Sequence, residues 1–301
     1  MTTTSTGAPT AGSDEAPLPL LSSEQIAEFV TLGFLRFDAL VPEEINAVAL
    51  EELKNKPSDR IVSPFDEELP RAGSRLSEHF RNSPGIGAYL SLASVRGIIE
   101  SLVGPDPFYD HHAVHARRPG TPSQPLHADG IVDTRSAFDI QLMYYPQAVT
   151  AVGGGTMVVP GSHLRQVDLS NIARYQNLAG QTYMEGPAGT VLVLHHGIWH
   201  CGRRSRSDLV RYMFKIRLNP RVEQVRLWDT SDLDDPAVRE RIRQRLYSRE
   251  AWFEEASGHI EEMQRTALFR RLSGDSGFEE VEFRLGRLEF QQSPRMRDLL
   301  P

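Results

Sequence analysis

Gly189-Thr190-Val191-Leu192-Val193-Leu194-His195-His196-Gly197-Ile198-Trp199-His200 is the stretch on which the reading of this chain turns. Five residues rich in β-branching and bounded by glycines predict a short strand buried on both faces. The polar groups that follow it are three histidines. Three further apolar runs, Phe138–Tyr145, Thr156–Val159 and Tyr212–Leu218, lie within residues 107–220, separated by Gly and Pro clusters. Many short strands in one region predict a barrel or sandwich.

Outside that region the pattern is helical. Ser22 and Gln25 have capping-box spacing, and Ile26, Phe29 and Val30 follow at helical intervals up to Gly33. A second helix is expected after Pro42, with Ile45, Val48, Ala49 and Leu53 on one face. Residues 55–85 read as a loop and residues 88–103 as one more helix. Residues 236–271 read as helical, with Ile242, Leu246, Trp252, Phe253, Ile260, Met263 and Leu268 as expected buried positions. Phe278–Phe290 reads as a strand or a short helix. The organisation expected is a disordered tail over 1–19, a β-rich domain over 20–220, and a helical extension over 221–301. That extension would pack on the same domain or form a dimer interface.

Composition narrows the function. The chain has 301 residues, 40% hydrophobic and 24% charged, with a formal net charge of −7. An acidic surface repels phosphate backbones, so nucleic acid is not an expected partner. No basic run suggests an anionic membrane, and no window is long and apolar enough to span one. The acid excess slightly favours a cationic small molecule, although net charge says little about a buried pocket. The single cysteine, Cys201, permits no disulfide within the chain and fits a cytoplasmic setting. The only lysines are Lys54, Lys56 and Lys215, against a large excess of arginine.

Chemistry is concentrated in Gln124-Pro125-Leu126-His127-Ala128-Asp129-Gly130. On a strand, residues two apart share a face, so His127 and Asp129 can aim nitrogen and oxygen at one point. Two histidines and one carboxylate suit iron(II) and leave open positions. The third ligand must come from elsewhere. On spacing alone His195, His196 and His200 are rivals, with His200 favoured at the rim of the strand. Arg211, eleven residues after His200, has a planar guanidinium able to clasp a carboxylate. Gln141 and Tyr144, on the strand after Asp129, are candidate co-substrate contacts. His112 and His115 differ by three positions and so face opposite ways on a strand.

Together, His127-Ala128-Asp129, Pro160-Gly161-Ser162-His163, and His200 followed by Arg211 resemble the phytanoyl-CoA dioxygenase family. The likeness covers roughly residues 20–220. It implies a double-stranded β-helix, a jelly roll with flanking helices. It implies iron(II), 2-oxoglutarate and dioxygen, with His127, Asp129 and His200 as iron ligands and Arg211 as the 2-oxoglutarate anchor. The presence of Asp129, where related halogenases carry a small residue, points to hydroxylation. The run Cys201-Gly202-Arg203-Arg204-Ser205 departs from the serine or asparagine common in the family after the last histidine, and names no helper for Arg211. The function expected is a dioxygenase hydroxylating a C–H bond of a small molecule in bacterial secondary metabolism, releasing succinate and carbon dioxide. An acyl-CoA hydroxylase, a zinc hydrolase and a non-catalytic jelly-roll binding protein are the alternatives. The sequence does not set the oligomeric state.

Overall fold

The computed structural model describes residues 17–55, 61–62, 67–69, 83–130, 137–165, 177–248 and 255–278. Helix α1 (Ser23–Leu32) starts where the capping-box spacing places it. The Gln25 amide donates to Ser22 Oγ at 3.2 Å, and the Ser22 amide donates to Gln25 Oε1 at 3.0 Å. Gly33 ends it in the left-handed conformation, φ 79°, and the chain turns directly into β1 (Phe34–Phe37). Gly33 has a second reason to lack a side chain, because a Cβ there would lie 2.4 Å from His163 Nδ1.

Helix α2 (Glu43–Lys54) follows, then the short strands β2 (Ile61–Val62) and β3 (Glu67–Leu69). The stretch expected as a loop therefore carries two sheet strands; the rest of residues 56–82 lies outside the described residues. The single helix expected over 88–103 is two, α3 (Pro84–Ser91) and α4 (Ala93–Val103). Pro84 starts the first, and Leu92, with ψ 130°, breaks the backbone between them. The remaining strands are β4 (Phe108–Arg117), β5 (Ile140–Tyr145), β6 (Thr156–Val158), β7 (Thr182–Tyr183), β8 (Thr190–His195), β9 (His200–Gly202) and β10 (Arg211–Asn219). Helices α5 (Pro236–Leu246) and α6 (Glu255–Ser273) close the described chain.

Among the described residues all strand pairs are antiparallel, and they form two sheets. The larger has the order β1-β8-β5-β10-β4-β3-β2, the smaller β7-β6-β9. This is the jelly-roll architecture expected, with helices on the outer face of the larger sheet. Strand periodicity sorts the side chains. Ile140, Leu142 and Tyr144 on β5, Val191 and Val193 on β8, and Phe214 and Ile216 on β10 pack under the helices. Met143, Tyr145, Leu192, Leu194 and Met213 face inward toward the smaller sheet. Met157, Val159, Trp199 and Cys201 form a third apolar cluster with Leu126.

The helical faces differ from expectation at three places. Val48 is exposed and Asn46 buried, because the Asn46 amide donates to the Val41 carbonyl and accepts from Tyr144 Oη at 2.7 Å. Met263 is also exposed, whereas Ile242, Leu246 and Leu268 are buried. Trp252, Phe253, the Ile260 side chain and the chain after Phe278 lie outside the described residues, as does the tail over 1–16.

Helices α5 and α6 pack against α1. The Ser23 amide and hydroxyl donate to Asp232, and Trp228 Nε1 donates to Ser23 Oγ. Arg265, buried on α6, reaches Glu261, which accepts from Arg165 on the loop after β6. No single helix among the described residues is long and apolar enough to cross a membrane; α3 and α4 together pass that test only across a 57° bend.

Two histidines lie where α1 meets the sheets. His163 Nε2 donates to the Val30 carbonyl at 3.0 Å, and its ring stands 4.8 Å from that of His195. His195 also stacks among Phe29 and Phe138. Burial pushes the His163 imidazole down to about 3, against the help of its backbone partner. Burial, then the neighbouring imidazoles of His163 and His196, push His195 well below the ordinary value of 6.5. Both lose protons on folding, so the unfolded chain binds more protons below pH 6.5. Stability is complete above that value and falls as the pH drops. Urea unfolding of the metal-free protein between pH 7 and 4.5 should show it, each histidine adding a slope approaching about 1.4 kcal/mol per pH unit. His163→Gln, which keeps a donor for Val30, should reduce that slope; an unchanged slope would remove His163 from the account.

Candidate metal and co-substrate site

The centre of the site is a backbone pairing. The His127 amide donates to the His200 carbonyl at 3.0 Å, and the His200 amide donates back at 2.8 Å. The two residues form an isolated antiparallel bridge. A bridge of this kind sets side chains on one face, and the imidazole centroids stand 4.6 Å apart. Gln124 extends the pairing: its amide donates to the Gly202 carbonyl at 2.9 Å, and its Oε1 accepts from the Gly202 amide at 2.6 Å. The segment bearing His127 is thereby zipped along β9.

Each imidazole is oriented from behind. His127 Nδ1 donates to the Pro125 carbonyl at 2.7 Å and His200 Nδ1 to the Ile198 carbonyl at 3.0 Å. Both Nε2 atoms are left to point inward; burial works to lower the His127 imidazole, but the Asp129 carboxylate beside it raises it above the ordinary value. Asp129 closes the set, with Oδ1 3.5 Å from His127 Nε2 and Oδ2 3.6 Å from His200 Nε2. One ligand atom from each of the three residues lies within 4.8 Å of the others, an arrangement that could hold a metal ion. Gly130 permits the close approach that follows, since a Cβ there would lie 2.3 Å from His196 Nδ1.

Electrostatics suit a cation. Burial pushes His200 down to about 4, outweighing the Asp129 charge, so the ring is neutral with its pair available. Burial works to raise the Asp129 carboxyl, but Lys215 and then the two histidines hold it well below the usual range, as a carboxylate. Lys215 Nζ touches Asp129 Oδ2 at 3.1 Å.

Arg211 opens β10 on the same inner face. It is buried, and its Nη2 donates to the Gly154 carbonyl at 2.8 Å while the guanidinium lies 5.4 Å from the Tyr145 ring centroid. Its Nε and Nη1 have no hydrogen-bond partner among the described residues. A buried guanidinium with two idle donors is costly unless a ligand completes it. Arg211 shares a cavity with His127, His200, His115, Gln124, Met143 and Lys215. The donor set and the idle guanidinium thus fit a divalent metal beside a short dicarboxylate.

The other expected residues are distributed by strand parity. His195 and His196 do not join the metal group; His195 Nδ1 accepts from the Gly197 amide. His112 stacks on Phe214 under the helices, whereas His115 lines the cavity. Tyr144, expected as a co-substrate contact, instead faces the helices, bonded to Asn46 and stacked at 4.3 Å on Tyr89. Gln141 faces inward but pairs with Arg217, six residues along β10 from Arg211, or about 20 Å. It stands beyond Asp129, toward the end of the strand away from Arg211. Lys215, Thr156, Met143 and Met213 line the cavity without having been singled out from the sequence. Lys215 carried a usable signal, being four residues after Arg211 on a strand and therefore on the same face.

A profile of the phytanoyl-CoA dioxygenase (PhyH) family matches residues 35–213. Solved structures share the fold at low identity. EctD from S. alaskensis, with 2-oxoglutarate and 5-hydroxyectoine, is 16% identical over 70% of this chain and 79% of its own, TM-score 0.52. HygX from Streptomyces hygroscopicus, with nickel, 2-oxoglutarate and hygromycin B bound, is 16% identical over 73% and 94%, TM-score 0.54. The carbocyclase SnoK from nogalamycin biosynthesis is 19% identical over 71% and 87%, TM-score 0.51. No curated protein sequence matches the chain.

Two measurements follow from this geometry. Nickel(II), a redox-silent stand-in, should raise the melting temperature, the stabilisation reaching about 2.7 kcal/mol at a hundredfold excess over its dissociation constant. Asp129→Ala should abolish most of that gain. Tyr144→Phe should leave nickel and 2-oxoglutarate affinity unchanged while costing about 1 kcal/mol of stability through the unpaired Asn46. A loss of 2-oxoglutarate affinity in Tyr144→Phe would contradict its placement under the helices.

Proposed function

Since the chain belongs to the phytanoyl-CoA dioxygenase family of iron(II)- and 2-oxoglutarate-dependent oxygenases, we propose that His127, Asp129 and His200 hold its iron and that Arg211 receives the distal carboxylate of 2-oxoglutarate. The observation that carries the reading is the pair of idle, buried Arg211 donors in the cavity shared with His127 and His200. A zinc hydrolase has no need of such a clamp, and a binding module has no need of the metal set as well.

Bound iron(II) and 2-oxoglutarate supply the oxidation of a C–H bond by dioxygen, with succinate and carbon dioxide as co-products. The chain's residues do the rest. The Pro125 and Ile198 carbonyls fix the two imidazole planes. The Gly154 carbonyl and the Tyr145 ring fix the Arg211 guanidinium, so little freedom is lost when a carboxylate docks. Met143 and Met213 give the cavity an apolar wall that limits water beside the reacting centre. Asp129 fills the position that a halide would need, which supports hydroxylation.

The substrate in this reading is a small molecule of bacterial secondary metabolism. The support is the fold shared with HygX, which binds hygromycin B, and with SnoK from nogalamycin biosynthesis. A cytoplasmic location belongs to the same reading, supported by the lone, buried Cys201.

Iron(II) added anaerobically to metal-free protein with 2-oxoglutarate should give the weak visible charge-transfer band of the chelate. Arg211→Ala should raise the 2-oxoglutarate concentration needed by about 30-fold or more, as expected for removing one partner of a buried charge pair. Succinate should form with iron and not with zinc. An iron-loaded, folded protein without the band would refute the assignment.

A further inference from the structure

We propose that Lys215, assisted by Gln141, is the receptor for a carboxylate on the substrate; this rests on the iron and 2-oxoglutarate reading above. The argument begins with the strand. Arg211, Met213 and Lys215 line the cavity from one face of β10, and Arg217 continues the same parity. Arg211 takes the co-substrate at one end. Lys215, four residues or about 13 Å further on, stands level with Asp129. Gln141, paired with Arg217, stands beyond it. The positions past the metal group, away from Arg211, are those left for a substrate.

Lys215 has few partners there. Its neighbours across the sheet are Ala113 on β4 and Met143 on β5, neither able to pair with an ammonium. Asp129 is its one ion-pair partner among the described residues. With metal bound, that carboxylate is shared with a dication. The charges of iron(II), the 2-oxoglutarate dianion, Asp129 and Arg211 then cancel. Lys215, with a side chain 11% exposed, remains outside that sum. A largely buried ammonium without a counter-charge is unfavourable, and an anionic ligand relieves it.

Among the described side chains, the remaining charges nearby do not supply that anion. Arg117, also cationic, lines the cavity, whose described lining contains no carboxylate. The Asp139 and Asp110 carboxylates are engaged by Arg217, at 2.6 and 3.0 Å. The second donor is Gln141, which is wholly buried, with neither amide atom bonded among the described residues. It is the diagonal neighbour of Lys215 on the inner face, a separation that long side chains span. An ammonium with a carboxamide N–H on the neighbouring strand suits a carboxylate. The charged side chains of the described lining are cationic although the whole chain carries a net charge of −7, so the bulk field is no guide to the substrate.

The test uses two probes of equal size and opposite charge, acetate and methylammonium. Protein loaded with manganese(II) and saturated with 2-oxoglutarate is titrated with each, and paramagnetic relaxation of the probe's methyl protons is followed. Acetate should show saturable relaxation and methylammonium none. Lys215→Met should weaken acetate by about tenfold or more, Lys215→Arg should retain it within a few-fold, and Gln141→Leu should weaken it less than Lys215→Met. Lys215→Met also loses the contact with Asp129, so its 2-oxoglutarate affinity is read from the iron chelate band as well; acetate should be lost by the larger factor, which a merely structural effect would not produce. Three outcomes would overturn the proposal: no saturable acetate relaxation, equal relaxation in Lys215→Met, or preference for methylammonium. If the chelate band itself fails in the wild type, the iron and 2-oxoglutarate reading falls and takes this one with it.

Discussion

Two hydrogen bonds between His127 and His200 hold this site together. They join residues far apart in sequence into one antiparallel pair, and the pair sets the distance and orientation of both imidazoles. The arrangement is made by backbone, so it costs no side-chain freedom. The side chains are fixed in turn by nearby carbonyls, which leaves only the inward nitrogens uncommitted. Asp129 then follows by strand geometry, two residues after His127. Everything else, including the Arg211 guanidinium on β10 and the apolar wall of methionines, is placed relative to that pair by the facing sheet.

The facing sheet is built to separate two environments. One side of β5, β8 and β10 is apolar and packed under helices, with Tyr144 stacked on Tyr89 and bonded to Asn46. The other side carries a guanidinium, an ammonium, a carboxamide and two methionines. Such a polar interior is expensive in a protein of marginal stability. It is tolerated when ligands complete the bonds that the fold leaves open. The incompletely bonded groups are therefore the part of the structure that most directly records what it binds.

Much of this was legible in the residues. The capping box at Ser22, the strand over 190–195 and the shared face of His127 and Asp129 follow from local chemistry and period. His200 and Arg211 were legible as candidates, and their convergence needed the sheet pairing. The placement of Tyr144 under the helices was not legible, for a physical reason. Tyr144 lies three residues from Gln141, so the two cannot share a face of a regular strand. In Ile140–Tyr145 all six residues are buried, and no polar alternation shows which parity faces inward. The split at Leu92 and the exposure of Val48 and Met263 likewise depend on neighbours that no local window contains.

The inner face of β10 works as a graduated rule, with Arg211 as its zero mark and Lys215 and Arg217 as later divisions. Changing the side chain at a later division leaves the zero mark and the metal pair untouched. Inserting or deleting one residue between them would turn every subsequent division to the helical side. Descent with modification along this strand should then proceed by replacement and not by change of length. A lineage could exchange one oxidisable molecule for another at Lys215 while inheriting the oxidising machinery unaltered.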